Sequence, residues 1–367
     1  MVRGDQMKRI IAIILTVLIF LSLLSGCESK ASYEKYQDTF FDTFDTVITV
    51  VAYTETEEEF ESYMGKIKDR FMELHKLYDR YNDYEGINNI KTINDNAGIE
   101  PVEVKQEIID LILFSKEWYE KAGKKTNIAF GPVVEIWTEY GERAEADPED
   151  AELPPMEILE EANEYTDIEK VIVDEENNTV YLEEENMSLD VGGVAKGYAT
   201  ELVAVEMEEE GLNSTLINAG GNIRGVGKPL DGKRERWGVG LQNPDEDLFD
   251  TGNVLDTVFV NNESVVSSGD YERYYMYDDM RIHHIIDPKT LMPGDYYRAV
   301  TIVTPHSGLA DFLSTSVFLL PFDESLELVE SLEDVEALWI TKDGDIKSTD
   351  GMKKIMRSEG ASGGDKK

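Results

Sequence analysis

The chain has a single cysteine, Cys27, and only four histidines among its 367 residues. One thiol cannot close an internal disulfide, so no cross-link of that kind holds the fold. Cysteine or histidine clusters suited to zinc are absent as well. Positive charge is scarce: 35 Lys and Arg face 76 Asp and Glu, a net charge of −41. That balance argues against a nucleic-acid partner, whose phosphates need clustered Lys and Arg. It also argues against a protein lying flat on anionic lipid. The excess has two readings. One is a solvated acidic surface, suited to a salty habitat. The other is a divalent cation that offsets charge at a site. Composition does not choose between them. No internal repeat is present. Disorder is excluded for the bulk of the chain, because 41% hydrophobic and 10% aromatic residues are enough to build a core.

What is present begins at the N-terminus. Arg3, Lys8 and Arg9 precede an apolar run from Ile10 to Leu24, broken by Thr16 and Ser22. A membrane span needs about 20 apolar residues, so this shorter run reads as the core of a signal peptide, residues 1–26. Leu24-Ser25-Gly26-Cys27 is similar to the lipobox of bacterial lipoproteins. Small residues suit a peptidase cleft, and the chain's one thiol stands where lipid would be attached. We therefore expect lipidation at Cys27, a tether over residues 27–37 and a location outside the cytoplasm on a membrane face. Residues 38–355 then form one functional domain, and 356–367, rich in Gly and Ser, a disordered tail.

Along the domain, Phe44 to Tyr53 reads as a strand. Phe60, Met64, Ile67, Phe71, Leu74 and Tyr78 recur at helical spacing, which predicts a helix over Glu57 to Tyr78. Tyr81 to Asn96 reads as an irregular loop. Helices are predicted over Gln106–Ala122, Ala195–Glu210, Leu309–Leu320 and Glu324–Leu332, with another beginning near Pro132. Glu142 to Pro155 reads as an acidic surface stretch. Lys170 to Leu182 reads as a hairpin turning at Asn177-Asn178, where φ > 0 is tolerated. Strands are expected near Thr215–Asn218, Trp237–Leu241, Val258–Val260, Ile282–Ile286, Ala299–Val303 and Ala337–Ile340. Helices and strands mix without βαβ alternation, so the fold class is α+β.

Four segments carry chemistry. In Leu189-Asp190-Val-Gly-Gly193-Val-Ala-Lys196-Gly197-Tyr198, glycines let backbone approach a ligand, and Lys196 opens a helix whose free N–H groups favour anions. Asn218-Ala-Gly220-Gly221-Asn222-Ile-Arg224 follows a strand and reads as a phosphate-cradling loop, although a double glycine is more often an ordinary turn. Ser267-Ser268-Gly269-Asp270-Tyr271-Glu272-Arg273 is followed by His283-His284-Ile285-Ile-Asp287-Pro288. Neighbours on a strand point to opposite faces, so only one of the two histidines can face a given site. In Ala310-Asp311-Phe-Leu-Ser314-Thr315, Asp311 and Thr315 share one helix face. With a backbone carbonyl they make an all-oxygen set suited to Mg²⁺.

Taken in order, FDTVITV, YNDYEG, NIAFGPVVEIW, LDVGGVAKGYA, NAGGNIRGVG, SSGDYERY, HHIIDP and ADFLSTS resemble the ApbE family, the FAD:protein FMN transferases. The resemblance runs from about Phe44 to Gly351. It implies an ApbE-like, T-fold-like architecture with the FAD site between two lobes. It implies a Mg²⁺-dependent enzyme that takes FAD as substrate, passes FMN to a Thr or Ser hydroxyl of an acceptor protein and releases AMP. Matched to the family's motifs, Gly193 (through its carbonyl), Asp311 and Thr315 are the metal ligands. Asp190 and Lys196 contact FAD, and Lys196 and Asp311 are catalytic together with His284. Phe44, Tyr81, Lys125, Thr126, Asn127, Ser268, Gly269, His284 and Ile285 belong to the cofactor site, and Asp287 to a segment closing over it. Departures occur at Asn127-Ile-Ala129, where relatives have Asp-x-Thr, at Thr290-Leu291 in place of Thr-Gly, and at Glu201 in place of Asp. The family's acceptor segment is of Asp-Gly-x-Thr-Gly type. The nearest approach, Thr349-Asp350-Gly351-Met352, lacks the hydroxyl and the last glycine, so the expected partner is a separate protein, a membrane redox subunit. Two competing readings are a hydrolase that splits FAD into FMN and AMP, and a non-catalytic flavin-binding lipoprotein.

Overall fold

The computed structural model describes residues 32–246 and 253–364. The signal-peptide segment, Cys27 and the tether as far as residue 31 lie outside the described residues. The chain divides into two units, Met1–Tyr33 and Glu34–Lys367; the following concerns the second. Among the described residues no helix is long and apolar enough to cross a membrane.

In chain order the first elements are β1 (Glu34–Thr43), β2 (Thr46–Thr54), α1 (Glu57–Tyr78), α2 (Ile90–Asp95), β3 (Val102–Glu103), α3 (Gln106–Lys121), α4 (Gly131–Ala146) and α5 (Met156–Asn163). Next come β4 (Val171–Asp174), β5 (Thr179–Leu182), α6 (Ala195–Glu209), β6 (Thr215–Ala219), β7 (Asn222–Val226), β8 (Trp237–Gln242) and β9 (Val254–Val260). The last are β10 (Ser264–Gly269), β11 (Tyr274–Tyr277), β12 (Met280–His283), β13 (Tyr297–Thr304), α7 (Ser307–Phe318), α8 (Phe322–Ser331), β14 (Glu336–Thr341), β15 (Ile346–Ser348) and α9 (Asp350–Ile355).

Eight strands form one antiparallel sheet in the order β1-β2-β6-β7-β10-β13-β14-β15. Its strands alternate as a sheet buried on both faces requires. On β13, Val300 and Ile302 enter the main core under the helices, while Ala299 and Val303 enter a second core. The main core is closed by α1, α6 and α7. The second is closed by the β8–β9 hairpin and by Met352 on α9. A third, smaller core gathers Phe130, Val133 and Trp137 of α4 (Phe130 being its N-cap), Leu159 of α5, and Tyr275 and Ile282 of the β11–β12 hairpin. Apolar periodicity explains α1: Phe60, Met64, Ile67, Phe71 and Leu74 are all buried, and Thr56 caps its first turn by accepting from Glu59 N at 3.2 Å.

Several expectations are corrected. The folded unit begins in β1 at Glu34, ahead of the residue-38 boundary, because Glu34 to Phe40 pair with β2. The stretch 81–96 is not all loop. Asn89 accepts from Thr92 N and nucleates α2 inside it. The acidic stretch 142–155 does lie largely at the surface; it begins as the end of α4 and includes a 3₁₀ turn at Pro148–Asp150. The tail expected to be disordered is packed as far as residue 364. Met356 bridges Val258, Arg357 N donates to Thr257 O at 2.9 Å, and Glu235 N donates to Gly363 O. Gly220 and Gly221 are the turn of the β6–β7 hairpin, and Gly220 lines the cleft described below. Gly220 has φ 57° and lies so close to Thr46 that a Cβ would overlap it.

Candidate active site

Between the main core and the third core lies a cleft of about 490 Å³, within the range of a small-molecule site. A second groove of about 510 Å³, near Lys347, Lys353 and Asp256, has none of the expected groups in its wall. The cleft brings together Phe44, Tyr81, Lys125, Thr126, Asn127, Asp190, Gly193, Lys196, Ser268, His284, Ile285, Asp311 and Thr315. Residues more than 250 positions apart in sequence therefore meet at one place. Gly269 and Asp287 do not line it. Gly269 ends β10 against the Tyr271 ring.

The centre is a crossing of two helices. The N-terminus of α6 passes α7 at Gly197, whose N–H donates to Asp311 Oδ2 at 2.8 Å. Only glycine allows this approach, because a Cβ would overlap both the Asp311 Cβ and the Ser307 carbonyl oxygen. Asp311 is 6% exposed. Burial raises its pKa, while the Lys196 charge and the Gly197 N–H pull it back. Thr315, one turn further along α7, faces Gly193; its Oγ1 is 3.7 Å from where a Gly193 Cβ would stand. Among the described residues, no three His, Cys, Asp or Glu side chains are grouped to hold a metal. The donors available at this crossing are one carboxylate, one hydroxyl and backbone, a set that would suit a hard cation keeping its own waters.

A buried frame holds α7 in place. Glu201 of α6 takes Arg224 Nε at 3.0 Å and Ser307 N at 2.6 Å, joining α6, β7 and the start of α7. Arg224 thus serves the frame and does not line the cleft. The Ser268 hydroxyl lies 2.7 Å from that of Ser314, which donates to Asp311 O at 2.9 Å. Thr126 Oγ1 donates to Phe312 O at 3.1 Å and meets Ser316 Oγ at 2.7 Å. The expected ligand contacts at Ser268 and Thr126 are therefore also parts of this hydroxyl network. Lys125 lines the cleft with its ammonium on Asp287 Oδ1 at 2.8 Å. Asn127 is pinned by Thr166 O and Ala129 N. Asp190 holds Gly192 N at 2.8 Å and pairs with Arg80.

The expected strand over Ile282–Ile286 lies earlier, as β12, and ends at His283; the chain bends at His284 and the two histidines part. His283 is 2% exposed, with Nε2 2.8 Å from Gly294 O and Nδ1 accepting from Ile285 N. Both ring nitrogens are used inside the fold. His284 faces the cleft, and its Nδ1 is 3.2 Å from Arg273 O. A carbonyl only accepts, so in the neutral ring Nδ1 carries the proton and Nε2 is left as acceptor. The pKa of His284 is lowered, first by desolvation and then by the charges of Lys196 and Arg273. That of Glu272 is raised by desolvation and by Asp311. Both side chains keep a wet edge in the open cleft, which screens them.

Cleft residues that sequence reasoning left without a role include Arg80, His75, Glu272, Arg273 and Asn222. Arg80 neighbours Tyr81 and sits 5.4 Å from its ring. Nδ1 of His75 accepts from Phe44 N at 3.2 Å and so fixes a turn in which Phe44 and Asp45 both have positive φ. Asp190 needed a counter-charge, and that was the signal available for Arg80.

Fold and cleft together define an α+β protein with a deep ligand site that pairs one buried carboxylate with nearby cationic groups. The chain belongs to the ApbE family, whose model matches residues 44–339. It is 31% identical over 276 residues to the FAD:protein FMN transferase of Klebsiella pneumoniae, covering 74% of this chain and 82% of that one. It is 32% identical to the FAD:protein FMN transferase of Treponema pallidum, covering 72% and 73%. Among solved structures it superposes on the ApbE protein of Thermotoga maritima with a TM-score of 0.74 at 26% identity, covering 88% of this chain and 99% of that one.

Proposed function

We propose that this chain transfers FMN from FAD to a Thr or Ser hydroxyl of a separate acceptor protein and releases AMP, with Mg²⁺ held by Asp311, Thr315 and the Gly193 carbonyl. The observation that carries the reading is the meeting in one cleft of the buried Asp311 carboxylate, Thr315 and Lys196. The two relatives above are named FAD:protein FMN transferase, which supports FAD as the donor and a protein as the acceptor.

Each group has a task suited to its surroundings. Bound Mg²⁺ supplies charge neutralisation and polarises phosphoryl oxygens. Lys196, in the first turn of α6, lines the cleft beside Asp311 and brings a positive charge to an anionic ligand. Phosphoryl transfer depends mainly on such positioning and charge stabilisation. The acceptor hydroxyl oxygen forms a bond to the FMN-side phosphorus. The bond from that phosphorus to the bridging oxygen breaks, and AMP leaves with the electron pair. His284, neutral near pH 7 with Nε2 free, is placed to take the hydroxyl proton. Tyr81, 61% exposed at the rim, offers a flat face for an aromatic ring.

The acceptor is another protein. Thr349 is 6% exposed and accepts from Met352 N to cap α9, so it is not available for labelling. Lipid on Cys27 would confine the enzyme to the outer face of a membrane. Its targets would be projecting domains of membrane redox subunits, reached at raised effective concentration. The test is to mix the purified chain, FAD, Mg²⁺ and an acceptor, denature, and look for a fluorescent acceptor band. FMN and AMP without labelling would identify a hydrolase instead.

A further inference from the structure

Asn222 has a place in the cleft and no task in the account above. It opens β7 directly after the Gly220-Gly221 turn, and its backbone is fixed on both sides, opposite Ala219 of β6 and Val266 of β10. Its side chain shares the face of Arg224 two residues on, the face covered by α6 and α7. The residue is 3% exposed and lines the cleft, yet Oδ1 has no hydrogen-bond partner. A buried amide oxygen without a partner costs stability, and an apolar side chain of similar shape removes that cost. Its location gives the orphan a meaning. Oδ1 lies 3.1 Å from where a Gly197 Cβ would stand, the same point crowded by the Asp311 Cβ. An unpaired acceptor thus borders the carboxylate that anchors the cation set.

We infer that Asn222 is a positioning residue for the cation at Asp311, kept polar to hold a donor that arrives with the metal, namely a metal-bound water. This rests on the cation reading given above. Mg²⁺ keeps several waters when protein supplies few ligands, and each water brings two O–H donors that need acceptors. Outer acceptors of this kind fix both ligand and metal. A half-turn of the terminal torsion lets the amide present either its oxygen or its NH₂ towards Asp311.

The test uses Mn²⁺ as probe on the purified mature chain without FAD, with free Mn²⁺ read by electron paramagnetic resonance. Asn222→Leu is expected to bind Mn²⁺ about tenfold or more weakly, while melting in EDTA at or above the wild-type temperature. Asn222→Asp, which restores an oxygen acceptor, is expected to bind within about threefold of wild type or more tightly. Equal Mn²⁺ affinity in wild type and Asn222→Leu overturns the inference and leaves the cation reading intact. A lower melting temperature of Asn222→Leu in EDTA also overturns it, because the amide would then serve the fold. So does a folded Asn222→Asp that has lost Mn²⁺. A wild type that binds no Mn²⁺ overturns the cation reading and this inference together.

Discussion

Gly197→Ala sets two physical effects against each other, and the structure decides the sign. Helix propensity alone favours alanine over glycine by about 1 kcal/mol in a helix interior. If α6 were an ordinary helix, the variant would be more stable. The crossing with α7 predicts the opposite. The added Cβ would overlap the Ser307 carbonyl oxygen and the Asp311 Cβ, and would stand 3.1 Å from Asn222 Oδ1. None of these gives way easily: Ser307 N is held by Glu201 at 2.6 Å, and Asp311 lies in a fully packed helix. Over-packing of this kind costs about 1–3 kcal/mol. With two obstacles, one of them backbone, the upper part of that range applies, and the net loss is about 1–2 kcal/mol after propensity is set against it. Prying the helices apart also stretches the 2.8 Å bond from Gly197 N–H to Asp311, so Mg²⁺ should protect the variant less than the wild type. Urea unfolding of both proteins, with Mg²⁺ and with EDTA, measures this. A variant as stable as the wild type would refute the description of the crossing.

Three further outcomes are expected. Arg224→Met leaves the Glu201 carboxylate buried without its partner and should cost about 3–5 kcal/mol; Glu201→Leu/Arg224→Met should recover only part of this in thermal melts, because the Ser307 N–H then loses its acceptor at a cost of about 1–3 kcal/mol, and equal loss in both variants would contradict it. Burial lowers the pKa of His283 below the ordinary value near 6.5, so on acidification through that value the unfolded chain takes up a proton that the folded chain does not. The wild type should therefore lose more stability from pH 7.5 to 5.5 than His283→Gln, while relief of repulsion among the carboxylates acts on both alike; equal slopes in urea titrations would count against this. Cys27→Ser should move the protein from the membrane fraction to the soluble fraction with flavin transfer unchanged, whereas retention on the membrane would remove the lipid anchor from the account.

How legible the molecule was follows from where its apolar residues fall. Helices α1 and α3 can be read almost to the residue, because each buries one apolar face at helical spacing; α6 is buried nearly all round over its first half. Strand β1 could not be read. It is the sheet's edge, mostly exposed, and its sequence EKYQDTFFDT shows no alternation. Helix α2 hides in a polar stretch because its stability comes from the Asn89 cap and two buried isoleucines rather than from a long apolar face. At the site, Asp311, Thr315, Lys196 and His284 were legible as motif residues, and the structure brings them together. Their supports were not. The Glu201–Arg224 frame, the Ser268–Ser314 contact and the Lys125–Asp287 pair each join segments far apart in sequence, and no local pattern announces them. Asn222 was visible only as part of a glycine turn, since an unpaired amide oxygen is a property of the packed state.

The central claim is that a cation anchored on Asp311 lets this cleft pass FMN to another protein. It is tested by incubating wild type and Asp311→Asn with FAD, Mg²⁺ and an acceptor domain, then measuring fluorescent acceptor after denaturation and AMP in solution. The expected result is one AMP per labelled acceptor for the wild type, and loss of both products in Asp311→Asn with its melting temperature in EDTA preserved. Labelling by Asp311→Asn at the wild-type rate would contradict it.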